Sequence, residues 1–141
     1  MKLIVVGATG FVGSELIRQS LRRSDVSAVI AVSRRPLPAS TEPTEGVNIA
    51  KLKSVVVKDY DQYSDEARKE FAGASACIWY VSELLKRIVT LLMHLPRTIA
   101  VTPSKVDSLP FEEVTRICQT STMVGLRAMF AAGVAKPFRF M

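Results

Sequence analysis

The residues of this chain best suited to chemistry are Gly7-Ala8-Thr9-Gly10-Phe11-Val12-Gly13, with Arg34, Arg35 and Asp59 further on. The chemistry is the capture of anions. The glycine run follows an apolar segment, Leu3-Ile4-Val5-Val6, and opens a segment of helical period. Strand, glycine turn and helix together hold a dinucleotide pyrophosphate. The first glycine permits the tight turn, the second lets backbone approach the phosphates, and the third lets the helix pack closely on the strand. The helix start adds open N–H groups and a partial positive charge.

About 20 positions beyond such a turn, an acidic residue would hold the ribose hydroxyls of NAD. This chain has Ser33-Arg34-Arg35 there instead. A guanidinium fork matches a phosphate, so the position favours the 2′-phosphate of NADP over NAD. The other reading makes the two arginines solvated charges leading into a loop. Asp59, in Val57-Lys58-Asp59-Tyr60, ends a strand-like run on the ligand side of a parallel sheet. It either accepts a hydrogen bond from an adenine amino group or caps the helix that follows.

The elements that must position these residues alternate strand and helix. The spacing predicts strands over 2–6, 28–32, 54–57 and 75–79, a short strand over 99–102 and the opening of another at 138–140. Helices are predicted over 11–23, 64–71, 83–95 and 110–132, with a proline-rich loop over 34–50. Residues 28–32 are apolar on both faces, as a buried parallel strand should be. The expectation is a single α/β domain over 1–141, a Rossmann-like doubly wound parallel sheet.

Composition sets the bounds. The chain has 141 residues, a net charge of +6 and 48% hydrophobic residues, enough for one domain with a real core. Its basic residues are scattered rather than gathered on one face, which argues against a specific nucleic-acid reader. Cys77 and Cys118 have no metal spacing and read as buried thiols of a reducing compartment. No apolar run reaches the ~20 residues of a membrane span and no leader precedes the first strand, so the expected location is cytoplasmic.

The glycine turn, Ser33-Arg34-Arg35 and Lys58-Asp59-Tyr60 resemble the atypical and extended short-chain dehydrogenase/reductases. They are most similar to the NmrA-like and nucleoside-diphosphate-sugar epimerase-like NAD(P)-binding proteins common in fungi. The segment 122–133 is similar to the family helix before strand five, where a glycine allows close packing. The resemblance implies that Gly7, Gly10 and Gly13 form the phosphate turn and that Thr9, Phe11 and Val12 contribute turn contacts. It further implies that Ser33, Arg34 and Arg35 bind the adenosine phosphate, and that Asp59 and Tyr60 lie beside the adenine.

Two departures shape the expected function. The resemblance implies a catalytic Ser or Thr after strand five and a Tyr-x-x-x-Lys on the next helix, in which the Lys lowers the pKa of a proton-donating Tyr. Here Tyr60, Tyr63 and Tyr80 are followed four places on by Ser64, Ala67 and Leu84. The chain reaches Met141 before either catalytic feature. The expectation is a partial NADP(H)-binding domain, incomplete at the C-terminal side of its sheet and not catalytic as it stands, with marginal stability. Its alternatives are an NmrA-like non-catalytic sensor that binds NADP and a partner protein, and a non-functional product of truncation or intron retention.

The second departure is residues 80–97, which interrupt the family pattern. They read either as a retained intron translated in frame or as a real insertion. In the second case an amphipathic helix over 83–95, with Leu84, Leu85, Ile88, Leu91, Leu92 and Leu95 on one face, docks on a protein partner or membrane surface, or drives self-association. The open sheet edge is the other expected site of self-association. His94 in this segment reads as a packing or surface residue rather than a ligand.

Overall fold

A computed structural model describes residues 1–37, 46–80, 112 and 115–141. The expected helix over 83–95 with His94, the strand-like 99–102 and the start of the long helix at Pro110 lie outside the described residues, as do 81–97 of the insertion and the side chain of Cys118.

Among the described residues five strands form one parallel sheet in the order β3-β2-β1-β4-β5. They are β1 (Lys2–Val6), β2 (Ala28–Ser33), β3 (Leu52–Val56), β4 (Ala76–Trp79) and β5 (Arg139–Phe140). The order runs outward from β1 in both directions, so the chain reverses its winding between β1 and β4. Ligands of open α/β sheets bind outside the carboxyl ends of the strands at that point. Among the described residues the α-helices are α1 (Phe11–Arg22), α2 (Asp65–Phe71) and α3 (Ser121–Ala131).

Period-two alternation in β1 and β2 sorts the core into two layers. Leu3, Val5, Val29 and Ala31 face Ile17 and Leu21 of α1. Ile4, Val6, Ile30 and Val32 face the opposite layer, with Ala67 and Phe71 of α2 and Ala128 and Met129 of α3. Both faces are covered, which is why these strands read as continuous apolar runs. The fold is the expected doubly wound Rossmann-like α/β sheet.

Boundaries differ where tertiary contacts take over. β3 starts at Leu52, two residues before the expected Ser54. A short 3-10 turn, Ile49–Lys51, precedes it inside the segment expected to be loop, and the Asn48 side chain caps that turn. Ser64 caps α2 from outside, its Oγ accepting from Ala67 N at 3.2 Å. The helix expected over 110–132 is not uniform in its described part. Arg116–Thr120 is a wider π turn and regular α3 starts only at Ser121. That turn carries Arg116 and Ser121 onto Asp61, a contact no helical period encodes. Among the described residues no helix is long and apolar enough to cross a membrane.

Candidate dinucleotide site

The glycine turn sits at the carboxyl end of β1. Gly7 has φ of 85°, a conformation that L side chains rarely adopt. Its N–H and that of Ala8 both donate to Val32 O, at 3.0 and 3.1 Å, tying the turn to the end of β2. Gly10 N donates back to Gly7 O at 2.9 Å, closing the turn.

The three glycines are not equally constrained. A Cβ on Gly13 would lie 2.3 Å from Gly7 O and 2.9 Å from Gly7 C, so no side chain fits between α1 and the turn. A Cβ on Gly10 would lie 3.2 Å from Gly7 O, tight but open to adjustment. Ser14 N is the first in α1 to find a carbonyl behind it, Gly10 O at 2.9 Å. The N–H groups of Phe11, Val12 and Gly13 are the orphan donors of a helix start. No acidic residue stands in that first turn. Glu15, one position beyond Ser14, is held by Arg18 and Gln19, which keep its carboxyl down at about 2. Thr9 and Phe11 are exposed and Val12 is half-buried, on the outer side of the turn.

β2 ends in a fully buried Ser33 whose Oγ donates to Arg35 O at 2.6 Å, bending the chain there. Val57 N donates to Ser33 O at 2.9 Å, which aligns the ends of β2 and β3. This brings Arg34 onto Tyr60, with Cζ 5.5 Å from the ring centroid. Arg34 is half-buried and Arg35 exposed. Burial raises the pKa of the Tyr60 hydroxyl, and the nearby Arg34 cation partly offsets this.

Asp59 does not cap α2, since Ser64 holds that post. One Asp59 oxygen accepts from Asp61 N at 3.4 Å, and Arg116 Nη1 lies 3.7 Å from the other. Arg116 also donates to Asp61 at 2.7 Å, and Ser121 Oγ donates to the second Asp61 oxygen at 2.5 Å. Sequence reasoning missed this cluster, because Arg116 and Ser121 follow Asp61 by 55 and 60 residues. The structure thus gathers Gly7, Gly10, Gly13, Arg34, Arg35, Asp59 and Tyr60 along the carboxyl ends of β1, β2 and β3.

Behind them lies an aromatic layer. Tyr60 meets Trp79 edge-on at 5.9 Å, and Trp79 lies 5.9 Å from Phe140. A Cβ on Gly125 would fall 2.2 Å from the Trp79 ring, so the indole or α3 would have to shift to admit one. This is the close packing expected within 122–133. An open groove of about 470 Å³ between α2 and α3 is lined by Arg68, Arg127, Val124 and Ala128 among others. The buried, unpartnered Tyr63 hydroxyl lies beside Gly125, 3.0 Å from where a Cβ would sit.

No protein-family model matches the chain. A curated relative, leucinostatins biosynthesis cluster protein T of Purpureocillium lilacinum, is 32% identical over 76 residues, which cover 54% of this chain and 26% of that protein. Similar solved structures include UDP-glucose 4-epimerase of Thermotoga maritima, with a TM-score of 0.56, 16% identity, and coverage of 99% of this chain and 37% of that one. The dTDP-glucose 4,6-dehydratase DesIV of Streptomyces venezuelae, solved with NAD bound, has a TM-score of 0.55 and 22% identity, covering 95% of this chain and 37% of that one. A short-chain dehydrogenase/reductase of Burkholderia vietnamiensis has a TM-score of 0.55 and 19% identity, covering 99% of this chain and 62% of that one. The chain therefore spans about a quarter of the curated relative and from about a third to under two thirds of these structures. What it shares with these solved structures is a Rossmann-like α/β fold.

Proposed function

We propose that residues 1–141 form a single NADP(H)-binding domain of the reductase and epimerase-like short-chain dehydrogenases. The observation that carries this reading is the fit of α1 onto the glycine turn at Gly13, with the orphan N–H groups of the helix start beside it. A helix start packed this closely on the turn, with open donors beside it, suits a pyrophosphate approached by backbone N–H groups. Gly7, Gly10 and Gly13 shape that turn, and Thr9, Phe11 and Val12 border it.

The preference for NADP(H) rests on the end of β2. Arg34 and Arg35 occupy the sequence positions where an acidic residue would hold the ribose of NAD, and a guanidinium meets a phosphate through paired in-plane donors. Ser33 contributes by bending the chain that carries them. Asp59 then borders the adenine, and Tyr60 stands beneath Arg34. A nicotinamide dinucleotide, when bound, supplies a hydride donor or acceptor, and the residues named here bind and orient it. We assign them binding rather than proton transfer, because none of the three tyrosines has a Lys four positions on.

The test is titration of the purified chain with NADPH and NADH, followed through Trp79 fluorescence. Saturable binding that favours NADPH is expected. Arg34→Ala should weaken NADPH about tenfold or more, the worth of a charge-assisted hydrogen bond, and leave NADH nearly unchanged. Equal loss of both dinucleotides in Arg34→Ala would refute the 2′-phosphate assignment, and absence of binding by folded protein would refute the site.

A further inference from the structure

Arg34 is held from below. Its guanidinium lies over the Tyr60 ring, 5.5 Å from the centroid to Cζ. Tyr60 is itself held in place: it is 5% exposed and meets the Trp79 ring edge-on, and Trp79 is seated against Phe140 and Gly125. The backbone makes the encounter systematic, because the bond from Val57 N to Ser33 O sets the two strand ends side by side. A cation held over a ring keeps N–H donors with which to meet a phosphate, and a long side chain already held there loses less rotamer freedom when it meets its ligand.

We propose that Tyr60 is a positioning residue for cofactor specificity, its ring aiming the Arg34 guanidinium at the 2′-phosphate of the adenosine ribose. The inference rests on the NADP(H) reading above. It differs from an adenine contact by Tyr60, because adenine is common to both dinucleotides. A ring that only touched adenine would strengthen NADPH and NADH alike. A ring that works through Arg34 strengthens NADPH alone.

The experiment titrates NADPH and NADH into the full chain carrying Tyr60→Leu, Tyr60→Phe, Arg34→Lys, and Tyr60→Leu combined with Arg34→Ala. Tyr60→Leu should weaken NADPH about three- to tenfold, as loss of a partly desolvated cation–π contact does, and leave NADH within about twofold. Tyr60→Phe keeps the ring face and should retain the preference. In the Arg34→Ala background Tyr60→Leu should have no further effect on NADPH. Arg34→Lys loses the paired donors of the guanidinium and should weaken NADPH whether or not the ring aims it, so it tests the phosphate reading alone.

Tyr60→Leu that keeps the wild-type ratio, or loses both dinucleotides equally while folded, overturns the proposal. If Tyr60→Leu does not fold, Tyr60→Met, closer in volume, decides: a retained wild-type preference overturns the proposal, and a lost one with NADH binding kept upholds it. A wild-type chain that binds both dinucleotides equally overturns the NADP(H) reading and this inference together. A preference that survives loss of the Tyr60 ring overturns this inference alone.

Discussion

Gly13 is the position at which the turn tolerates least. A methyl group there would have to displace the Gly7 carbonyl, 2.3 Å away, and with it the bonds from Gly7 and Ala8 to Val32. Backbone cannot yield as a flexible side chain would. Gly13→Ala should cost about 1–3 kcal/mol of stability, the range for overpacking, and abolish saturable dinucleotide binding. Gly10→Ala, with its contact at 3.2 Å, should keep the native melting profile within a few degrees while weakening the cofactor. Paired thermal melts and titrations check this, and equal behaviour of the two variants would contradict it. The turn was legible in the sequence because its parts are adjacent. Glycine spacing, the preceding apolar run and the following helical period all lie within residues 2–21. The Arg34–Tyr60 stack was only half legible. Each residue could be placed at a strand end, but the ring beneath the guanidinium depends on how β2 and β3 align. The cluster of Arg116, Asp61 and Ser121 was not legible, because a salt bridge across 55 residues leaves no local pattern.

At the scale of elements, α3 sits as it does because of one missing side chain. Gly125 lies over the indole of Trp79 at the carboxyl end of β4, and the Tyr63 hydroxyl closes the same gap from α2's side. Glycine inside a helix costs about 1 kcal/mol relative to alanine, so on helical propensity alone Gly125→Ala would stabilise. The structure reverses the sign. The added Cβ would sit 2.2 Å from the ring, and Trp79 is itself packed between Tyr60 and Phe140 with little room to retreat. Gly125→Ala should therefore destabilise by about 1–2 kcal/mol net and shift the emission of Trp79 as the indole moves. A stabilised variant with unchanged emission would show that α3 is not seated as described. Sequence reasoning anticipated close packing in this helix but not its partner. The same locality explains why β1 came out with its bounds intact, whereas the π turn before α3 did not. β1 is apolar throughout, but the turn answers to Asp61.

For the whole molecule, two covered sheet faces mean that groups at the centre titrate far from water. Cys77, in β4, is fully buried, and burial raises its thiol from 9.0 to about 12. The Tyr63 hydroxyl moves upward for the same reason, burial being its largest cause. Desolvation penalises the charged form, so the folded protein holds these protons where the unfolded chain releases them. With folded pKa values above unfolded ones, the unfolded state binds fewer protons as pH rises, and stability falls with pH. For Cys77 the contribution is complete below about pH 9 and is lost progressively as pH rises toward about 12. Urea unfolding at stepped pH should accordingly show a midpoint that is level around neutrality and declines above about pH 9. Cys77→Ala removes one of the groups that burial raises, Tyr60 and Tyr63 being others, and a little packing, so it should lower the midpoint at pH 7 and flatten the decline above pH 9. Cofactor at saturating concentration binds only the folded state and should lift the midpoint at neutral pH. An alkaline slope as steep in Cys77→Ala as in the wild type would assign the decline to other groups and remove the buried thiol from the account.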